Sequence, residues 1–390
     1  MAVRFRTTID SAPPAPLPTV GPAVTAPETG EPRGDERSER LRRAARRLGA
    51  LFIGLGLFVT ALGVMKAGAV ELIPTLQGSV FTDNPWSTLG LGWLGACLVL
   101  SGSPIAASSL TWLDADAITG SQAFTMLTGS RLGASFVVLV VGFIYTLRRT
   151  GETGKTRRAP MSIGILSLTM TMVAYLPGAL LGWLLLTGGH LDAINLTPPP
   201  SLLSLTDTAF GWAVDLATNN LPGWTLFPVG LGILLLAFKA FDAALPQVDS
   251  ARLEHRADAW YKKPWAMFLV GCGVALLTLS VSVALTVLVP LVAKGYLKKD
   301  DTLPYIAGAN ITTLADTLVA AILLGNPVAS RVVLAEVIGV GAWTLLLIAL
   351  FYPTVRRGCL GVSRATLRSV PRLAVFLGVL FTVPITLIAV

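Results

Sequence analysis

Two pairs of serines stand out in a chain that is otherwise strongly apolar. Ser101 and Ser103 lie in one apolar stretch, and Ser280 and Ser282 lie in another. Hydroxyl groups, together with backbone N–H groups freed where a helix breaks, can donate hydrogen bonds to an oxyanion, and helix N-termini favour negative charge. The sequence therefore predicts an anion site built from two serine-bearing turns.

A third polar group occupies the apolar segment at 305–316, which contains Asn310, Thr312, Thr313 and the ionisable Asp316. Carbonyl groups at the C-terminal end of a broken helix favour a cation. We predict that Asn310, Thr312, Thr313 and Asp316 line the cation site or support it from behind, and we count Asn310 among the substrate-binding residues.

Arg131 and Glu336 are further ionisable residues within apolar stretches. Charged groups deep in a membrane are costly, and they usually mark a transport pathway or an ion pair. For Arg131 and Asp316 the alternatives are a role in transport and a purely structural pair. Glu336 is either a proton site or the partner of a neighbouring group, and we leave it outside the predicted site.

The composition indicates the class of protein that must position these residues. Of the 390 residues 53% are hydrophobic and 13% are charged, and the mean hydropathy is +0.69. Apolar stretches of about 20 residues, enough to cross a bilayer as a helix, recur along the chain. The sequence therefore predicts an all-α, multi-pass protein of the cell membrane, in contact with lipid.

Charge and cysteine usage exclude other classes. The net charge of +8 comes from basic residues in short loops between the apolar runs, which is typical of cytoplasmic loops and does not call for a nucleic-acid partner. The three cysteines and two histidines have no metal-ligand spacing. We expect no resident metal beyond a bound sodium ion, no cofactor and no catalytic residue.

The topology follows from the positions of the basic residues. Six arginines between positions 37 and 47 place the N-terminus in the cytoplasm, whereas 67–87 and 189–222 hold no Lys or Arg and are predicted to face outward. The number of apolar stretches between these loops is inconsistent with simple crossings. We therefore predict about seven full spans and two re-entrant hairpins, 88–113 entering from outside and 265–293 entering from inside.

An internal repeat supports the hairpins. A shift of 179 residues places Ser101 on Ser280, Ser103 on Ser282 and Gly129 on Gly308. Since the first copy runs inward and the second outward, we predict the inverted repeat typical of many secondary transporters. The predicted organisation is a disordered cytoplasmic tail with a basic end (1–48), the first span and outer loop (49–87), repeat 1 (88–147), two connecting spans with an outer loop at 189–222 (148–263), repeat 2 (264–353), and a basic inner loop with the last span (354–390).

The two copies resemble a known family. The second carries LSVS at 279–282 followed by AGANITT at 307–313, and the first carries LSGS at 100–103 followed by GSRLGAS at 129–135. These motifs resemble those of the type II sodium/phosphate cotransporters, in which each repeat has a Gln-Ser-Ser-Ser motif followed by GANIGTT. The resemblance covers roughly 90–145 and 265–350 and implies sodium-coupled transport of inorganic phosphate or a similar small oxyanion.

The resemblance also implies functions for individual residues. Its motifs coincide with the four serines, Asn310, Thr312 and Thr313, whereas Leu100 and Leu279 stand where the family has glutamine. Arg131 replaces an asparagine of the family. Because a guanidinium makes bidentate contacts with phosphate or carboxylate, we predict that Arg131 balances the substrate's charge.

Two functions of other classes are alternatives. A non-transporting membrane scaffold or assembly factor that keeps the transporter fold is one, because both family glutamines are replaced. A membrane enzyme acting on a lipid-linked substrate is the other, but Glu71 and Asp83 are too sparse to form its acidic site. The sequence leaves open sodium or proton coupling, the stoichiometry and whether the protein is a homo-oligomer.

Overall fold

The computed structural model describes residues 33–148, 159–194, 196–244, 263–278, 280–294 and 297–390, and every regular element in these ranges is helical. The α-helices, numbered here in chain order, are α1 (Arg33–Leu76), α2 (Pro85–Val99), α3 (Ser103–Asp114), α4 (Gly120–Ala134), α5 (Phe136–Arg148), α6 (Ala159–Thr187), α7 (Pro200–Asn220), α8 (Gly223–Ala244), α9 (Pro264–Thr278), α10 (Val281–Thr286), α11 (Leu288–Ala293), α12 (Thr302–Thr312), α13 (Leu314–Leu323), α14 (Pro327–Leu346), α15 (Tyr352–Thr366) and α16 (Val370–Ala389). A 3₁₀ turn precedes α12 at Lys299–Asp301, and a π turn joins α14 to α15 at Leu347–Phe351.

The chain divides into two compact units, Met1–Ala45 and Arg46–Val390, and the site discussed below lies in the second. The predicted disordered tail falls largely at 1–32, outside the described residues. Much of two predicted inner loops, at 149–158 and 245–262, and the positions of Leu279 and Gly295 are also outside them.

Seven helical segments of the described chain are long and apolar enough to cross a bilayer, which confirms the predicted all-helical membrane protein with about seven spans. Each needs about 20 residues because the helix rises 1.5 Å per residue and the hydrocarbon is about 30 Å thick. The seven segments are Ala45–Leu76, Gly120–Arg148, Ala159–Thr187, Gly223–Ala244, Lys299–Leu323, Pro327–Thr366 and Val370–Ala389.

Two segments differ from the predicted loops. The predicted outer loop at 189–222 contains a whole helix, α7, which begins at Pro200 because proline is well suited to the first helical position. This helix packs its Phe210 against Gly56 of α1. The basic segment after 353 is also helical, because α15 buries Cys359 and Leu360 on one face and leaves Arg357 exposed on another.

Both serine-bearing segments are interrupted helices. Helix α2 ends at Val99, and its C-cap residue Leu100 adopts the left-handed conformation, with φ 57°, before α3 starts at Ser103. In the second copy α9 ends at Thr278 and α10 starts at Val281. The helices therefore break at the serines, as the repeat predicts, and do not continue as straight rods.

The helix bounds recur at the same shift of 179 residues that relates the serines. Helix α2 begins and ends 179 residues before α9 does. With the same shift, the residues of α3 correspond to those of α10 and α11. Helices α4 and α2 form one closely packed pair, and α12 and α9 form the other. The two segments thus share one order of elements: a helix, a turn, a second helical stretch, and a helix that packs against the first.

Glycines at matched positions make each pair of helices close. A β-carbon at Gly92 would lie 2.1 Å from the carbonyl oxygen of Met126, and one at Gly271 would lie 2.1 Å from that of Tyr305. Both contacts are shorter than any real β-carbon contact, so a side chain has no room at either glycine. The two backbones touch at the same place in each pair.

Candidate functional site

The two serine-bearing turns meet. The Ser282 hydroxyl donates a hydrogen bond of 3.1 Å to the carbonyl oxygen of Leu100, which joins the second turn to the first. The Ser280 hydroxyl instead caps its own helix by accepting from the backbone N–H of Val283, at 3.3 Å. Among the described residues, none forms a hydrogen bond with the hydroxyl of Ser101 or Ser103. Two of the four predicted serines therefore have protein partners, and two have hydroxyls available to a ligand.

The first turn also packs against the helix that carries Arg131. A β-carbon at Gly102 would lie 2.8 Å from the carbonyl oxygen of Ser130 and 2.9 Å from the β-carbon of Ala134. Because this contact admits no side chain, the backbone of the turn lies directly on the last turns of α4. The turn between Ser101 and Ser103 is thereby placed beside the backbone of the residue preceding Arg131.

Arg131 pairs with Asp316 across the two copies. Its Nη2 lies 3.5 Å from Asp316 Oδ1 and also donates to the hydroxyl of Thr317, which in turn donates to Asp316 Oδ1 at 2.9 Å. The side chains are only 2% and 6% exposed. This ion pair joins the two sequence-predicted charged residues, which are 185 positions apart in the chain.

The pair leaves several polar atoms without partners. Within the described chain, Nε and Nη1 of Arg131 and Oδ2 of Asp316 are buried and form no hydrogen bond. A guanidinium presents its donors as a planar fork that matches two oxygens of a phosphate or carboxylate. Arg131 therefore retains donors for an anion, and Asp316 retains an oxygen for a cation.

Asn310 lies in the same interior but is already bonded to the protein. Its side-chain amide donates to the Thr171 hydroxyl at 2.8 Å, and that hydroxyl is 2.7 Å from the Ser135 hydroxyl. The backbone carbonyl oxygen of Asn310 accepts hydrogen bonds from the Tyr175 hydroxyl at 2.8 Å and from the Thr313 hydroxyl at 2.9 Å. These bonds hold α12 against α6, so a direct contact between Asn310 and a substrate stays a prediction.

The two threonines predicted for a cation lie where α12 ends. The Thr312 hydroxyl donates to the carbonyl oxygen of Gly308 at 3.0 Å, one turn earlier in the same helix. Thr313 lies between α12 and α13 and donates to the carbonyl of Asn310. Hydroxyls that bond back to a helix carbonyl often accompany a bend, and their oxygens keep lone pairs for a cation.

Sequence reasoning missed the partners of these residues on α6, namely Thr171 and Tyr175. They lie four positions apart and therefore share one face of that helix. This spacing is the one feature of the sequence that could have indicated that both side chains face the polar interior. It also left out Glu336 of α14, which is 0% exposed. Arg131, Asp316 and Glu336 all lie within electrostatic range of Tyr175.

An apolar groove beside α4 is not a suitable anion site. It has a volume of about 450 Å³, lies between α2, α4 and α6, and is lined mainly by apolar side chains such as Leu89, Phe124 and Trp183. An oxyanion in an apolar groove would lose its hydration without gaining donors. Among the described residues, no group of three or more His, Cys, Asp or Glu side chains could hold a metal ion.

One known protein family matches part of the chain. The family described as Na+/Pi-cotransporter matches residues 233–385, which include the second serine-bearing turn, the polar segment with Asp316, and Glu336. No curated protein and no solved structure matches the chain. The match over 233–385 supports membership of this chain in the Na+/Pi-cotransporter family.

Proposed function

We propose that the protein is a secondary transporter of the cell membrane that takes up inorganic phosphate, or a similar small oxyanion, together with sodium by alternating access. The family match and the seven apolar helices support a multi-pass transporter. The observation that carries the proposal is the hydrogen bond between Ser282 and Leu100, because it brings the two serine-bearing turns to one place.

The two copies form an inverted repeat in this proposal, with the N-terminus in the cytoplasm. The hairpin α2–α3 enters the bilayer from outside, and the hairpin of α9 with α10 and α11 enters from inside. The matched helix bounds and the matched contacts of Gly92 and Gly271 support the repeat. Irregular backbone at membrane depth is tolerated where protein or water surrounds it, and the two turns cover each other.

The substrate anion binds between the turns. Ser101 and Ser103 donate their free hydroxyls, and Ser280 and Ser282 complete the site after small rotations that exchange a protein acceptor for a substrate oxygen. The guanidinium of Arg131 balances the anion's charge with the donors that Asp316 leaves unused. This arrangement supplies the hydrogen bonds that the family's glutamines would supply at positions 100 and 279. Asn310 stays at the edge of the site, fixed by α6.

The coupling cation binds next to the anion. Asp316 Oδ2 is the charged ligand, and Thr312 and Thr313 add hydroxyl oxygens where α12 ends. Sodium is the ion because the matched family is described as a Na+/Pi-cotransporter. A cation at Asp316 would weaken the hold of this carboxylate on Arg131 and so release the guanidinium for the anion. Cation and anion would then stabilise each other's binding.

Uptake by the full-length protein in liposomes tests this proposal. We expect a sodium gradient to drive accumulation of labelled phosphate, and Arg131→Ala to raise the KM for phosphate at least tenfold. The control is Arg331→Ala, since Arg331 pairs with Asp192, which is 68% exposed, and should leave uptake unchanged. If the wild type takes up neither phosphate nor another small oxyanion, with or without sodium, the transporter proposal is wrong and the non-transporting scaffold is favoured.

A further inference from the structure

Glu336 is the most unusual buried group that the proposed mechanism does not use. It lies on α14, is 0% exposed, and neither carboxylate oxygen forms a hydrogen bond within the described chain. The Thr128 hydroxyl lies within reach of this carboxylate, but it donates its hydrogen to the carbonyl oxygen of Phe124. A carboxylate buried in this way without a hydrogen-bond donor is strongly unfavourable when ionised, whereas its protonated form is neutral.

The titratable groups around Glu336 come from three other helices. Arg131 of α4 lies within electrostatic reach of it, and Tyr175 of α6 lies within reach of Glu336, Arg131 and Asp316 together. Arg131 already forms its salt bridge with Asp316 of α13. If all three charged groups are ionised, the cluster has a net negative charge, which repels an incoming anion.

The remaining charged residues on the helices packed against α14 have partners of their own. Asp114 of α3 pairs with Lys66 at 2.8 Å, and Arg331 of α14 itself pairs with Asp192 at 2.7 Å. None of these pairs includes Glu336. The charge of Glu336 is therefore balanced by Arg131, by a proton or by another cation.

We propose that Glu336 binds one proton when the substrate anion binds and releases it when the anion leaves. The O–H bond forms on a carboxylate oxygen of Glu336, with a proton taken from water, as the anion takes the free donors of Arg131. The bond breaks and the proton returns to water when Arg131 is again available to the carboxylate. This inference rests on the proposed anion transport. A proton fits this place better than sodium, because a metal cation needs several oxygen ligands and a proton needs one.

The test measures phosphate binding by the detergent-solubilised full-length protein with Glu336→Gln, a neutral mimic of the protonated residue. At mildly acidic pH we expect equal affinities. At alkaline pH the wild-type Kd should rise relative to that of the variant by up to about tenfold per pH unit, because the wild type must first take up a proton. The titration of phosphate itself affects the wild type and the variant alike, so it cancels in the comparison. Binding calorimetry in two buffers of different ionisation enthalpy measures how many protons the protein takes up when phosphate binds.

The matched control is Glu71→Gln, which neutralises an exposed carboxylate on α1 and should reproduce the wild-type pH dependence. If Glu336→Gln does not fold, infrared difference spectra of the wild type with isotope-labelled glutamate should show a protonated carboxyl band that grows when phosphate is added. Identical pH dependence of both proteins, or no change in that band, overturns the proton exchange alone. Absence of phosphate binding at any pH overturns the transporter proposal as well.

Discussion

At the scale of single residues, the salt bridge of Arg131 with Asp316 is the feature with the largest energetic consequence. Both side chains are almost completely buried. Removing one partner of a buried ion pair leaves an uncompensated charge, which costs far more than the pair itself contributes. The pair therefore restricts which substitutions are tolerated at either position, whatever the substrate is.

Arg131→Gln should lower the free energy of unfolding by about 3–5 kcal/mol, because Asp316 is left charged and buried. The double variant Arg131→Gln with Asp316→Asn should recover most of this loss. The measurement is denaturant or thermal unfolding in detergent. Arg331→Gln is the control, with an expected cost of about 1 kcal/mol or less, since Asp192 is largely exposed. Equal losses in Arg131→Gln and Arg331→Gln would contradict the buried pair.

The sequence located most of the polar interior but not its bonding. Arg131, Asp316 and Glu336 were identified because charged residues in apolar helices are conspicuous. A pair of Arg131 with Asp316 is one of the two alternatives that the sequence offers, but whether it forms depends on how α4 and α13 pack, which no local pattern encodes. The sequence does not single out Thr171 and Tyr175, because threonine and tyrosine are ordinary residues of membrane helices.

At the scale of elements, the closely packed helix pairs α2–α4 and α9–α12 depend on matched glycines. In the second copy, Gly308 contacts the carbonyl oxygen of Phe268 as Gly129 contacts that of Leu89 in the first, each with a hypothetical β-carbon distance of 2.1 Å. Small residues let membrane helices approach until their backbones touch. A methyl group at any of these positions forces the helices apart.

Gly271→Ala should destabilise the protein by about 1–3 kcal/mol, the usual cost of overpacking, because its β-carbon would overlap the carbonyl of Tyr305. Gly273→Ala is the matched control on the same helix. A β-carbon at Gly273 meets nothing within 4 Å, so this change should be neutral or stabilise by up to about 1 kcal/mol through helix propensity. The measurement is thermal unfolding of both variants in detergent. An equal loss of stability in the two variants would contradict the close contact at Gly271.

The bounds of the elements were predictable where hydrophobicity changes sharply and less so elsewhere. The positions of the serines predicted the two breaks at 99–103 and 278–281. Helix α7 was not predicted, since its Thr, Asp and Asn residues resemble a loop although it packs along α1. The basic segment after 353 also continues as a helix, because lysines and arginines mark the side of the membrane but do not end a helix.

At the scale of the whole molecule, the proposed topology places the turn before α2 outside the membrane and the turn before α16 inside. Single cysteines introduced in a cysteine-free background should show this in intact cells. Asp83→Cys, in the exposed turn before α2, should react with an impermeant maleimide. Arg368→Cys, in the exposed turn before α16, should react only after permeabilisation. Labelling of both sites in intact cells would contradict the proposed orientation.

The peptide group between Leu100 and Ser101 has a mechanical consequence. Its oxygen accepts the hydroxyl of Ser282, while its N–H donates to the carbonyl of Ala96 in the last turn of α2, at 3.2 Å. One rigid amide plane thus links Ser282 of the second serine-bearing turn to the last turn of α2. A movement that separates the two serine-bearing turns would therefore also pull on the hydrogen bond that closes the end of α2.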